Sequence, residues 1–415
     1  MGNLISSSAQ REVVIDHDVD SLCPVTKQKI VVSLQDGTVH GHIREDDLDP
    51  DQDGCNAWPM QWCGEDVSDD AALAIVERAH DMADIVAEEP DVLDGKWSGP
   101  DGGDPLCVLF DTTDTGELAD AVEELVESLK ELVAGEATLN TASVPAKVFG
   151  DLHGQFRDML KLLYHYGFPS PTGPEFVFNG DWVDRGHHQL ETICLVFALK
   201  LAFPKSVWLN RGNHEEGPMN SHMGQSGFEH ACVSRFGAER GAEIFASFAD
   251  AYAYLPLGTL LGERILVVHG GIGDGKWDLD HLRHAKRPLE PHALEADPVL
   301  YNVLWSDPIE DEQANAFGVH DSPRDNHRNL VKTFGVDVTA DFCERNALAM
   351  VIRSHEADFG GHGYEVMHDE HLIRVFSARD YCDGKEKNDG AVLSITTSGD
   401  SLLVTPQLLP SLTRN

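Results

Sequence analysis

The chain has 415 residues, 41% of them hydrophobic, and a formal charge of −40 with a pI near 4.6. That is enough apolar chain for one large domain or two to three smaller ones. The acidity argues against holding a nucleic-acid backbone, which needs Lys and Arg, and no apolar run reaches the length of a transmembrane helix.

Met1-Gly2-Asn3-Leu4-Ile5-Ser6 fits the N-myristoylation pattern, with Gly2 as the acylated residue. A single myristoyl chain binds membrane only marginally. No cysteine sits beside Gly2, and Arg11 is the only basic residue before Lys27. The expectation is a cytoplasmic protein that associates reversibly with the cytoplasmic face of a membrane. The eight cysteines lack CxxC spacing and no secretory signal is read, so free thiols are expected.

From Met1 to Asn140 there are 33 Asp and Glu against 7 Lys and Arg, so most of the net charge sits there. Lys29 to Ile43 reads as a hairpin around Gln35-Asp36-Gly37-Thr38. Asp49-Pro50-Asp51-Gln52-Asp53-Gly54 begins like a calcium loop but would place Met60 at the twelfth position, so it reads as an acidic turn. Leu73, Val76, Met82, Ala83 and Val86 give Asp69 to Glu88 an amphipathic helical spacing, and Asp91 to Pro105 reads as a linker or loop. A second helix is capped by Asp114, with Glu117 three residues on. It carries an apolar face from Leu118 to Leu132 and ends at Gly135. The division predicted is an acidic extension over 1–113, a catalytic domain over 114–408 and a tail over 409–415. The extension is read as an appendage that gates the domain or recruits a basic, otherwise unidentified regulatory partner.

From Pro145 the pattern becomes strand, loop, helix, repeated. Strands are expected over Ala146 to Gly150, Glu175 to Gly180 and Ser206 to Asn210, with helices over Phe156 to Tyr166 and Leu190 to Ala202. This alternation implies a parallel α/β core, whose strand ends carry the site. Each end is polar: Gly150-Asp151-Leu152-His153-Gly154, then Gly180-Asp181-Trp182-Val183-Asp184-Arg185-Gly186, then Arg211-Gly212-Asn213-His214-Glu215. His269-Gly270-Gly271 and Arg353-Ser354-His355-Glu356 follow. Asp151 and His153 share one face of an extended chain. A lone histidine or a turn aspartate has a bland explanation, but five such ends at a core edge are costly unless something binds them. Oxygen and nitrogen donors without cysteine suit a pair of manganese, iron or zinc ions.

These motifs, in this order, resemble the PPP family of serine/threonine protein phosphatases within the metallophosphoesterase superfamily. The wording around Phe178-Asn179-Gly180 and Asn210 to Glu215 is most similar to the type-5 and EF-hand-bearing branches. The similarity runs from about Leu118 to Val404 and takes in Leu304-Trp305-Ser306-Asp307-Pro308, Phe334-Gly335 and Phe376-Ser377-Ala378. It implies an α/β fold with a central two-sheet β-sandwich flanked by helices, the calcineurin-like metallophosphoesterase fold. Leu372 to Phe376, Ala391 to Thr397 and Leu402 to Thr405 are expected in its second sheet.

The resemblance also implies roles. Asp151 and His153 would hold the first metal, Asp181 would bridge, and Asn213, His269 and His355 would complete the second. His214 would be the general acid, oriented by Asp184. Arg185 and Arg328 would clamp the phosphate, and Tyr381 would line the pocket. The implied reaction is hydrolysis of phosphoserine and phosphothreonine in phosphoproteins, by direct attack of a metal-bridging hydroxide. Manganese is the expected metal in vitro, with iron or zinc as alternatives. The rival readings are a phosphoesterase for small phosphoesters or nucleotides, and a catalytically weak scaffold. Arg379-Asp380 stand where the family carries Pro-Asn, which puts inhibitor sensitivity and substrate preference outside what the resemblance implies. The loop Glu310 to Asn326, rich in Asp, His and Asn, is expected to be a surface loop.

Overall fold

In the computed structural model, residues 69–310, 316–324, 329–357, 361–398 and 401–414 are described, together with the backbone of strands at 12–16, 29–32 and 39–41. Gly2, the acidic turn at Asp49 to Gly54 and Arg328 lie outside the described residues.

Two sheets face each other. The first has eight strands, in the order Val39–Gly41, Lys29–Val32, Glu12–Asp16, Ser401–Leu409, Gly390–Ser398, Ala146–Phe149, Glu175–Phe178, Val207–Leu209. Its last three strands are parallel, as the strand–helix alternation requires. The second has six, in the order Tyr364–Met367, Leu372–Val375, Met350–Arg353, Ile265–Val268, Gly258–Leu261, Leu139–Ala142. The strands Lys29–Val32 and Val39–Gly41 pair antiparallel, as expected of the hairpin.

Period-2 alternation divides the strand side chains between two burial environments. Val148, Val177, Ile265, Val267, Met350 and Ile352 meet between the sheets. Phe149, Phe176 and Phe178 turn outward onto the helices Phe156–Tyr166 and Gln189–Ala202. Leu266, Val268 and Val351 turn outward into a third cluster with Leu282, Leu304 and Phe342. With both faces covered, these strands read as continuous apolar runs.

Two expectations are corrected. Of the three stretches expected in the second sheet, only Leu372–Val375 belongs to it. The strands Gly390–Ser398 and Ser401–Leu409 form an antiparallel pair in the first sheet, beside Ala146–Phe149. Their short apolar stretches could not say which edge they would join. Second, the helix Asp70–Glu88 is no appendage: Val76, Met82, Ala83 and Val86 share one cluster with Leu160, Ile193 and Phe197, so the core continues well before residue 114. Of the two readings of Asp91 to Pro105, the structure takes the loop. It holds two short 3₁₀ turns, Asp94–Lys96 and Pro100–Gly102, and ends in the helix Pro105–Phe110, capped by Asp104.

The helix Thr115–Ala134 is capped by Asp114, which accepts from the Gly116 and Glu117 backbone N–H groups. Glu117 does not reach back to complete a capping box. Its carboxylate accepts from the Thr112 hydroxyl at 3.0 Å. Within the Glu310 to Asn326 loop, Val319–Asp321 forms a strand beside Lys332–Phe334, in a small sheet with Asp307–Pro308. Among the described residues no helix is long and apolar enough to cross a membrane.

Candidate metal centre

The five polar strand ends come together at one edge of the two sheets. The backbones of the first two are stitched to each other: Leu152 and His153 donate to the Asp181 carbonyl at 3.0 and 2.9 Å, and Gly154 donates to the Trp182 carbonyl at 2.8 Å. The second and third approach so closely that a side chain at Gly212 would run into Asp181 and Glu215. Asp181, Asp184, Arg185, His153 and His355 all hold a left-handed φ between 43° and 75°. Such conformations cost of order 1–3 kcal/mol each in non-glycine residues and cluster where a site demands them.

Asp151, His153, Asp181, Asn213, His269 and His355 converge, each 8% exposed or less. His153 Nε2 lies 3.6 Å from Asp151 Oδ2 and 3.5 Å from Asp181 Oδ2. His269 Nε2 lies 3.3 Å from Asp181 Oδ1, 2.9 Å from Asn213 Oδ1 and 3.2 Å from His355 Nδ1. Asp181 therefore turns one oxygen toward each group. Two sets of donor atoms, His153 with Asp181 and His214, and Asp181 with His269 and His355, are close enough to share an ion.

Hydrogen bonding fixes which nitrogens are free. His153 Nδ1 meets the Val183 carbonyl and His269 Nδ1 the Asn179 carbonyl, each at 2.8 Å. A carbonyl only accepts, so both rings carry their proton on Nδ1 and turn Nε2 into the cluster. Burial pushes His153 down to about 3, so its Nε2 lone pair is available. Burial also holds His355 well below the ordinary range, and its Nε2 is buried without a hydrogen-bond partner. Asp151 Oδ2 is orphaned in the same way. Burial, and then the neighbouring Asp181, push Asp151 up to about 7. His269 goes the other way: Asp181 and Asp151 outweigh burial and lift it to about 9. His355 turns Nδ1, not its orphaned Nε2, toward His269. A cation answers the rest at once: it partners the orphaned Asp151 oxygen, separates the two carboxylates and stands where the extra His269 proton would sit. The donor set fits a pair of divalent ions.

His214 is built differently from the other histidines. Its Nδ1 bonds to the Asp184 carboxylate at 2.6 Å, and its Nε2 lies 3.9 Å from Asp181 Oδ2. Burial opposes its charge, but Asp181 and Asp184 outweigh that and raise its pKa. Asp184 is held in turn by the Asn220 side-chain amide at 2.8 Å and the Phe228 backbone N–H at 2.7 Å.

Arg185 is exposed at the mouth, its guanidinium 5.9 Å from the centre of the Tyr381 ring. That ring stacks on His153 at 5.1 Å. Arg324, four residues before the second predicted clamp, pairs with Asp307 and lies 3.5 Å from Glu356. Arg379 does not overhang the site. It is 2% exposed and bonds to Asp158 at 2.8 Å and Asp91 at 2.9 Å.

Several site-building residues escaped the sequence reading. The buried Glu215 carboxylate accepts from the backbone N–H groups of Asp181, Trp182 and Gly212 at 2.7 to 2.9 Å, locking two motif loops together. It stands inside a quoted motif, which was the only signal. Asn179 donates to the Val268 carbonyl and to Ser354 Oγ, each at 2.8 Å, joining the two sheets below the cluster. Arg353 ties the Gly270 carbonyl, Glu356 and Asp307 together. Asn220 carries no sequence signal.

Residues 144–359, just over half of the chain, match the calcineurin-like phosphoesterase family. Serine/threonine-protein phosphatase BSL2 of Arabidopsis thaliana is 37% identical over 300 residues, which cover 71% of this chain and 28% of that protein. Serine/threonine-protein phosphatase T of Schizosaccharomyces pombe is 38% identical over 278 residues, covering 65% of this chain and 54% of that one. The chain thus spans about half or less of the length of these relatives. The solved structure of a protein serine/threonine phosphatase from Saccharomyces cerevisiae, with similarity to human phosphatase PP5, is 30% identical with a TM-score of 0.61. It covers 71% of this chain and 90% of that one. With its two-sheet core and its strand-end cluster, the chain belongs to the calcineurin-like phosphoesterase family.

Proposed function

We propose that the chain is a protein serine/threonine phosphatase working at a two-metal centre. The observation that carries this is the buried cluster around Asp181, with its orphaned Asp151 oxygen, in a chain whose relatives are named as such phosphatases. Asp151 and His153 would hold one ion and Asn213, His269 and His355 the other, with Asp181 available to both. When bound, the ions supply Lewis-acid polarisation of the phosphoryl group and acidification of water. Manganese serves in vitro, and iron or zinc suits the same nitrogen and oxygen donors.

The chain's own residues then bind, orient and move a proton. Arg185 offers a guanidinium fork to the phosphoryl oxygens at the mouth. Tyr381 walls the pocket beside His153. His214 keeps a proton on Nδ1 toward Asp184, and its raised pKa favours the form that carries a second on Nε2. That Nε2 proton goes to the departing seryl or threonyl oxygen. Arg328 is the proposed second clamp.

The test is phosphate release from a phosphoserine peptide with manganese. The wild-type chain should turn over, and His214→Asn should lose about 10²- to 10⁴-fold in kcat, the usual range for a general acid. Faster turnover of nucleotides or small phosphoesters than of the peptide would move the assignment to the small-substrate reading.

Gly2 is the proposed acylation site, giving reversible attachment to the cytoplasmic face of a membrane. Gly2→Ala should move a membrane-bound fraction into the soluble pool, and a wild-type chain with no such fraction would contradict it. The acidic N-terminal residues are the proposed contact for a regulatory partner.

A further inference from the structure

Two helices begin immediately after the first two site loops. Phe156–Tyr166 starts three residues after His153, and Gln189–Ala202 four residues after Arg185. The first turn of a helix leaves backbone N–H groups unsatisfied. Neither helix supplies its own side-chain cap, because Gln155 and His188 make no capping bond.

One carboxylate from outside the family match serves both ends. Asp94 Oδ1 accepts from the Arg157 backbone N–H at 2.8 Å, and Asp94 Oδ2 bonds to His188 Nδ1 at 2.8 Å. Asp94 is 5% exposed and sits in the first 3₁₀ turn of the Asp91 to Pro105 stretch. Trp97 closes over the junction, its ring 6.2 Å from Phe156 and 5.3 Å edge-on from His188. The two loops are also bonded to each other, with the His188 N–H donating to the Gly154 carbonyl at 3.0 Å. A shift at either helix end is therefore carried to the residues a few positions before it.

We propose that Asp94 is a positioning residue for the metal centre. By tying together the starts of both helices, it fixes the Asp151–His153 loop against the Asp181–Arg185 loop. The inference rests on the metal-centre reading above. It touches neither metal nor substrate, and acts through backbone placement. Asp104 provides the contrast. It caps the helix Pro105–Phe110 through the Cys107 N–H at 3.0 Å and pairs with Arg235 at 2.7 Å, without reaching either site loop.

The experiment uses the full chain, with manganese binding measured by calorimetry below the melting temperature of each variant. Hydrogen exchange at residues 152–158 and 186–190 is followed in parallel. Asp94→Ala should bind manganese about tenfold more weakly, in line with loss of an outer-shell partner, and exchange faster at both segments. Asp94→Glu keeps the charge but lengthens the arm by one methylene, so it should fold and still bind several-fold more weakly, a small step within that ~10-fold range. Asp104→Ala should lower the melting temperature without changing manganese affinity.

Wild-type affinity in a folded Asp94→Ala overturns the proposal. If Asp94→Ala does not fold, wild-type affinity in Asp94→Glu overturns it instead. An equal loss in Asp104→Ala also overturns it, because the effect would then be general destabilisation. A wild-type chain that binds no manganese is a separate result, which removes the metal-centre reading itself.

Discussion

The floor of the site is held by short backbone bonds between neighbouring strand ends, whereas the Arg379–Tyr381 rim is held by ion pairs to residues far along the chain. Leu152, His153 and Gly154 bond directly to the Asp181–Trp182 backbone, and Glu215 gathers three N–H groups. Arg379 instead reaches Asp158 and Asp91, 221 and 288 residues away in sequence. The floor is thus specified by motifs that carry their own geometry. The rim is specified by packing, and its arginine occupies a position that the family resemblance assigns to the site.

Breaking the rim should cost stability first. Arg379 is buried and Asp158 is buried with it, so Arg379→Ala leaves an uncompensated carboxylate in the interior. Burial is already the main force raising the Asp158 pKa, and Arg379 is its principal counterweight. The expected loss is about 3–5 kcal/mol in denaturant unfolding. A loss well below ~1 kcal/mol, the scale of an exposed pair, would mean that the rim is not anchored in this way.

A smaller effect separates the junction between floor and rim by its pH dependence. Burial disfavours charge on His188, but the Asp94 carboxylate outweighs it and holds the pKa up at about 9. A histidine raised in the folded state adds stability that is fully present below its unfolded value of ~6.5 and is lost as pH rises through about 9. Unfolding free energy should therefore fall by up to about 3 kcal/mol over that window. Asp94→Ala should abolish the falling limb. An unchanged limb in that variant would assign the titration to another group.

The smallest effect lies outside both regions. Asp114 is a local cap, accepting from two N–H groups of its own helix. Asp114→Ala should cost about 1 kcal/mol and leave turnover per folded molecule unchanged. Lost turnover would show that the helix Thr115–Ala134 communicates with the floor.

The comparison also explains what the sequence could tell. The strand ends were legible because ligand-type residues recur at short, fixed spacings after apolar runs: Asp181, His269 and His355 converge, with Asp151 beside His153 and His269. The helices Phe156–Tyr166 and Gln189–Ala202 followed from the strand–helix alternation after Pro145. Sheet membership of Gly390–Ser398 and Ser401–Leu409 did not follow, since any buried strand satisfies the same pattern. Nor did the role of Asp91 to Trp97. Four glycines and two prolines between Asp91 and Pro105 read as linker or loop, and nothing local announces that a carboxylate there will meet Arg157 and His188. Arg379 was visible as a departure from the family, but its partners lie too far away in sequence to be inferred.

The most direct test of the central claim is a count of metal ions. The full chain, loaded with manganese and freed of excess, should retain two ions per molecule by elemental analysis. Asp181→Asn should retain fewer than two while its unfolding transition remains cooperative. Two retained ions in the wild type and a loss in the variant would establish Asp181 as the residue shared between them. A wild-type chain that holds no manganese, or an Asp181→Asn variant that holds two as tightly, would contradict the account.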